Sequence, residues 1–234
     1  SEGAPPMKLA SVLAALIASC PAAECLADKV NVPYELGGAY SLPITSMKAA
    51  RFRAMIRQQY DFSCGSAALS TLLTHHYGYT VTEEIVFVAM YEKGDQPKIR
   101  REGFSLYDMK RYLESKGFQA DGFEAPLDKL ESAGIPAIVL INENGYNHFV
   151  VIKGIREGRV LIGDPSGGVR ALPQAAFERL WTNGILFVIS NRQELAKFNV
   201  AAEWSALPRA PIAYGINREG LAGMVMPKAG PSDF

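Results

Sequence analysis

Two periodicities follow one another along the chain. Over residues 64–77, Ala68, Leu69, Leu72 and Leu73 recur at helical spacing, with Asp61 or Ser63 available to cap the start and Gly78 to end it. Thr80-Val81-Thr82-Glu83 has capping-box spacing for a second helix ending near Gly94. Residues 105–117 repeat the pattern with Leu106, Met109 and Leu113, and residues 127–133 make a short fourth helix. From Ile135 the pattern changes. Residues 135–141, 148–155, 159–162, 169–172 and 185–190 are β-rich runs, punctuated by the turn pairs Asn144-Gly145, Glu157-Gly158 and Gly167-Gly168. A helix near residues 173–180 interrupts them. Helices first and a meandering antiparallel sheet afterwards predict an α+β fold.

The ends of the chain do not share these patterns. Residues 1–6 precede Met7 without any apolar period and read as a cloning remnant outside the fold. Residues 7–27 have the layout of a signal peptide: Met7-Lys8, an apolar run over 9–19, then small residues up to Cys25-Leu26-Ala27, with cleavage expected after Ala27. That run is shorter than the roughly 20 apolar residues a membrane span needs. Ile17-Ala18-Ser19-Cys20 also resembles a lipobox, which would lipidate Cys20 and tether the protein to a membrane. Residues 28–50 form an N-terminal extension and residues 51–190 the globular domain. Residues 191–234 hold four prolines with Trp204, Leu207, Tyr214 and Met224, and read as an extended strap with one short helix around 193–202.

Composition narrows the function. With 234 residues, 48% of them hydrophobic, one good core is possible and a second large domain is not. Lys+Arg and Asp+Glu balance at 24 each, so no electrostatic footprint for nucleic acid exists. Lys98-Ile99-Arg100-Arg101 reads as a solvated loop.

Cysteine use then singles out one residue. If Cys20 and Cys25 leave with the signal, Cys64 stands alone in an oxidising compartment, at the mouth of an apolar helix. The thiolate is the reactive form of cysteine, and a helix N-terminus with a neighbouring imidazolium favours it. Cys64 is the candidate nucleophile. A histidine beside the sulfur takes and returns the proton, and a carboxylate on its second nitrogen fixes tautomer and orientation. His148 and Asp164 fit, provided their neighbouring strands place both near one end of the ladder. A glutamine amide beside the backbone N–H of the nucleophile would stabilise the oxyanion, with Gln58 the candidate and Gln59 its neighbour. His75-His76 falls in the last turn of the helix and reads as a cap complementing the dipole. No Cys/His spacing suggests a zinc site, and no cofactor is expected.

Gln58, Cys64-Gly65, His148-Phe149 and Asp164-Pro165, in this order, resemble the C39 peptidases, over residues 57–189. The resemblance implies a papain-like fold, with the nucleophile helix packed on the sheet that carries the base. It implies a cysteine peptidase cleaving peptide bonds after small, Gly-Gly-like residues, with a peptide or protein substrate. In bacteriocin exporters such peptidases remove leader peptides, but here no GxxxxGK[ST] motif follows the domain. Stand-alone exported members occur beside functional-amyloid secretion genes, so a periplasmic enzyme acting on components of such a system is expected. Two other readings share the residues: a catalytically silent peptide-binding relative, and a thiol acyl transferase or amidase. Leu36-Gly37-Gly38-Ala39 raises cleavage of the chain's own N-terminal segment.

Overall fold

The computed structural model describes residues 28–31, 41–44, 47–181 and 183–205. The expected signal segment, the Gly37-Gly38 pair and the tail beyond residue 205 lie outside the described residues. The chain divides into two units, Ser1–Thr45 and Ser46–Phe234. In the first, strands β1 (Asp28–Asn31) and β2 (Ser41–Ile44) pair antiparallel, with Asp28 opposite Ile44. Four residues each are too few to show a period, so neither strand was predicted.

The second unit opens with a one-turn helix α1 (Met47–Arg51), followed by α2 (Cys64–Thr71). The long helix expected over residues 64–77 is α-helical only to Thr71 and then widens into a π turn over Leu72–His76. Next come α3 (Glu83–Lys93), α4 (Gln96–Glu102) and α5 (Leu106–Ser115). A strand β3 (Ala120–Glu124) and helix α6 (Leu127–Ala133) lead into β4 (Ala137–Glu143), β5 (Tyr146–Arg156), β6 (Arg159–Asp164) and β7 (Gly168–Pro173). Helix α7 (Gln174–Leu180), strand β8 (Ile185–Ile189), a 3-10 turn (Gln193–Leu195) and α8 (Ala201–Ser205) complete the described chain.

The strands form one six-stranded antiparallel sheet in the order β3-β8-β4-β5-β6-β7. Both faces are covered. Leu69, Leu72, Leu73, Met109 and Leu113 from the helices meet Ile138, Val151, Phe187 and Ile189 on one face. On the other, Leu130, Phe177 and Trp181 meet Val139, Ile141, Val150 and Ile152. This double cover explains the unbroken apolar run of residues 137–141, since each Val, Leu, Ile or Phe side chain buried on either face is worth about 1.5–3 kcal/mol if fully removed from water. The architecture is the expected α+β one.

Two elements depart from the sequence reading. Residues 96–102 are a helix rather than a loop: Asp95 accepts the N–H of Lys98 at 3.1 Å, Pro97 stands in the first turn and Ile99 is buried. Arg100 and Arg101 remain on its solvated side. β3 reads Ala-Asp-Gly-Phe-Glu, a composition poor in β-formers that becomes a strand only by pairing with β8 at the sheet edge.

Candidate active site

Cys64 occupies the first position of α2, and every residue of that helix is buried. The helix lies unusually close to its neighbours at Gly65. A side chain there would meet Met109 Cε at 2.9 Å and Phe104 Cβ at 3.1 Å. Glycine therefore lets the helix start, and with it Cys64, sit against α5 and β5.

β5 and β6 bring the other two predicted residues together. Their ladder pairs Val151 with Gly163, which places His148 beside the end of β6, where Asp164 is the last residue. His148 Nε2 lies 2.8 Å from Asp164 Oδ1, with the histidine 5% and the aspartate 3% exposed. The other ring nitrogen, Nδ1, is buried and makes no hydrogen bond to oxygen or nitrogen. It is left for the Cys64 thiol, with which the ring also interacts.

Charge follows from this packing. Burial pushes the His148 pKa down, but Asp164 and Cys64 push it up more strongly, and it stands raised at about 9. Burial raises the Asp164 carboxyl, yet His148 and Ser166 outweigh it and hold it below the ordinary carboxylate range. Asp164 Oδ1 accepts the Ser166 N–H at 2.8 Å, the Ser166 hydroxyl at 2.7 Å and the Gly167 N–H at 3.1 Å. Arg170 Nη2 donates to Oδ2 at 3.2 Å and also grips Glu143 Oε2 at 2.7 Å. The Asp164-Pro165-Ser166-Gly167-Gly168 turn thus works as a carboxylate holder.

Gln58 is tied to the same turn: its backbone N–H donates to Pro165 O at 3.1 Å. Its side-chain Nε2 donates to Tyr60 O, also at 3.1 Å. An amide carries two N–H groups, so this bond orients the amide and leaves a second donor. Gln59 is exposed, and its backbone N–H turns the other way, toward Glu83 Oε2 at 3.1 Å. Of the two glutamines, Gln58 is the one joined to the His148–Asp164 side of the site.

Three arrangements escaped the sequence reading. Glu83 was assigned to a capping box with Thr80, but Thr82 is the N-cap and accepts the Ile85 N–H at 3.4 Å. The Glu83 carboxylate is 2% exposed and bonded instead to the Ser63 hydroxyl and the Gln59 N–H. Ser63 therefore makes no cap bond to α2. His75 and His76 do not act as a cationic cap. Burial, with Lys153 nearby, lowers them to about 4 and about 3, so both are neutral. His76 Nδ1 meets Lys197 O, while Lys197 N–H donates back to His76 O at 2.9 Å. Finally, Lys153 sits at the β-bulge of β5, wholly buried, with Nζ on Ala54 O and 3.0 Å from Glu203 in α8.

Aromatic residues flank the site. Tyr146 places its ring 6.0 Å from that of His148, and its hydroxyl donates to Asp61 O at 2.8 Å, bridging β5 to the turn before Cys64. Tyr60 and Phe62, on either side of Asp61 in the sequence, stack at 6.0 Å. Among the described residues no cluster of three or more His, Cys, Asp or Glu could hold a metal ion. A buried thiol, an imidazole held by a carboxylate and a fixed side-chain amide together suit acyl transfer.

The sequence profile of the peptidase C39 family matches residues 53–193. A probable functional amyloid protease FapD of Pseudomonas aeruginosa is 40% identical over 153 residues, 65% of this chain and 67% of that protein. A protein of the same description from Pseudomonas fluorescens is 42% identical over 146 residues, 62% of this chain and 64% of its own length. The peptidase domain of Streptococcus ComA, a bi-functional ABC transporter involved in quorum sensing, superimposes with a TM-score of 0.50 at 20% identity, covering 58% of this chain and 97% of that domain. That last likeness concerns the fold. With the profile spanning more than half of its residues, the chain belongs to the peptidase C39 family and is a cysteine peptidase.

Proposed function

We propose that Cys64 is the nucleophile, His148 the general acid and base, Asp164 its orienting carboxylate and Gln58 an oxyanion donor. In the first half-reaction the thiolate attacks the scissile carbonyl carbon, forming a C–S bond and an oxyanion. The second N–H of the Gln58 amide and the backbone N–H of Cys64 receive that charge. Protonated His148 passes its Nδ1 proton to the departing amine as the C–N bond breaks, leaving a thioester. Water then adds, gives its proton to His148, and the C–S bond breaks to release the acid and restore the thiolate. The observation that carries this reading is the buried His148–Asp164 pair at 2.8 Å with Cys64 as the remaining partner of the ring.

Membership of the C39 family supports cleavage after small residues of the Gly-Gly kind, and Tyr146, held on Asp61 O beside His148, is a candidate to line that position. The relatives described as probable functional amyloid proteases, together with the expected export signal, support a periplasmic enzyme that processes or clears a component of an amyloid-secretion system. Thiol labelling with a peptide chloromethyl ketone tests the assignment directly. Expected are a covalent adduct at Cys64, and losses of several orders of magnitude in amide cleavage for folded Cys64→Ser and His148→Ala. Turnover by either variant within about tenfold of the parent would defeat it.

A further inference from the structure

The geometry points to Glu83 as a positioning residue that sets the spacing between the oxyanion amide and the nucleophile, an inference resting on the roles of Gln58 and Cys64 proposed above. Gln58 and Cys64 are the two ends of one short loop. Its first link, the Gln59 N–H, donates to the Glu83 carboxylate at 3.3 and 3.1 Å. Its last link, the Ser63 hydroxyl, bonds to Glu83 Oε1. One rigid carboxylate thus holds the residue after the glutamine and the residue before the cysteine. Ser66, the third residue of α2, lies 3.4 Å from the same oxygen while its hydroxyl also reaches Ser63 O at 2.9 Å.

The loop between these anchors is closed on itself. Ser63 N–H donates to Tyr60 O at 3.1 Å, and Tyr60 N–H donates to Ser63 Oγ at 3.1 Å. Tyr60 O is also the acceptor that orients the Gln58 side chain. Glu83 therefore reaches the oxyanion donor by two routes, directly through the Gln59 N–H and through Ser63 to Tyr60. Glu83 itself is anchored independently of the loop, at the first position of α3, where a carboxylate suits the helix dipole. Each partner is a charge-assisted donor, stronger than a neutral one. Preorganised oxyanion donors act only where charge develops, so loosening this clamp weakens the transition state more than substrate binding.

The test uses the full chain with a fluorogenic peptide substrate and four variants: Glu83→Gln, Glu83→Ala, the exposed neighbour Glu84→Gln as a control, and Cys64→Ser. Glu83→Gln keeps one acceptor oxygen and should lower kcat about tenfold, and Glu83→Ala about a hundredfold, with KM within about twofold in both. A peptide aldehyde, whose adduct with Cys64 carries the oxyanion, should lose affinity by the same factor as kcat/KM. Alkylation of Cys64 by iodoacetamide, which needs no oxyanion donor, should stay within about twofold of the parent. Glu84→Gln should match the parent throughout. Turnover by Glu83→Gln within about twofold of the parent, with Cys64→Ser inactive, overturns the inference and leaves the nucleophile intact. Equal losses in turnover and alkylation, or failure of Glu83→Gln to fold, overturn it in favour of a purely structural residue. Turnover by Cys64→Ser would remove the nucleophile reading itself.

Discussion

The Gln58 backbone N–H donates to Pro165 O at 3.1 Å. Pro165 follows Asp164, so the loop that carries the amide and the turn that carries the carboxylate are fastened to each other across the site, although 107 positions separate them. The fastening uses only backbone atoms and survives replacement of the Gln58 side chain.

That separation makes Gln58→Ala a clean experiment. The loop should stay in place while the side-chain donor is lost, so kcat should fall about a hundredfold or more with KM little changed. Gln59→Ala leaves its backbone bond to Glu83 and should cost less than about threefold. Steady-state kinetics of both variants check this, and the reverse ranking would move the oxyanion donor to Gln59.

Arg170 divides its guanidinium between Glu143 Oε2 at 2.7 Å and Asp164 Oδ2 at 3.2 Å. Lysine cannot span both acceptors in that fork. Arg170→Lys should lower kcat/KM about three- to tenfold and Arg170→Ala more, because Asp164 then orients His148 less firmly. Glu143→Gln, which loosens Arg170 from outside, should reproduce the milder loss; no change in any of the three would remove Arg170 from the machinery.

The histidines pull stability in opposite directions with pH. His148 is raised from 6.5 to about 9, so its contribution is full below pH 6.5 and is lost as pH rises toward 9. His76 is lowered from 6.5 to about 3 and His75 to about 4, so the unfolded chain takes up protons first as pH falls below 6.5 and the fold weakens. Asp164, lowered from 3.8, adds a further loss in the acid range. Melting temperatures should therefore peak near neutral pH and fall on both sides. Peptidase activity should decline near pH 9 as His148 loses its proton, and His148→Ala should flatten the alkaline side of the melting profile.

Gly65→Ala tests the close approach of α2. The added methyl meets Phe104 Cβ at 3.1 Å, an atom that cannot swing aside. Overpacking of this kind costs about 1–3 kcal/mol, and here it displaces Cys64 as well. Denaturant titration should show the loss of stability, and kcat should drop by more than that loss explains, since the variant remains folded.

Much of this was readable from local pattern, and the reason shows in what was not. Cys64, His148 and Asp164 could be picked out as candidates because each sits at or near the end of an apolar run, and strand pairing follows from turn chemistry at Asn144-Gly145 and Glu157-Gly158. Glu83 misled because its spacing from Thr80 matches a real local motif; the bonds it makes to Gln59 and Ser63 reach back 24 and 20 positions. Residues 96–102 misled for the opposite reason, their charge outweighing the Asp95 cap. Arg170 and Lys153 carry no local signal. Arginine and lysine on strands read as solvent-facing, and only the assembled sheet turns one toward Asp164 and buries the other. The strand β3 exists only in its partner's presence.

Lys153 has one further consequence. Its counter-charge, Glu203, comes from α8, ten residues past the end of the C39 match at 193. Among the contacts that fix this stretch are the Lys197 exchange with His76 and the Asn199 N–H on Lys153 O at 3.0 Å. Trimming the chain to the family boundary would leave the buried Lys153 ammonium on the Ala54 carbonyl with no counter-charge, a defect worth about 3–5 kcal/mol. Such a fragment should melt well below the full chain, and Lys153→Met within the fragment should recover part of the difference. The smallest piece able to stand alone in solution is thus longer than the piece that kinship defines, and any shortened version for assay or crystallisation has to run through Glu203.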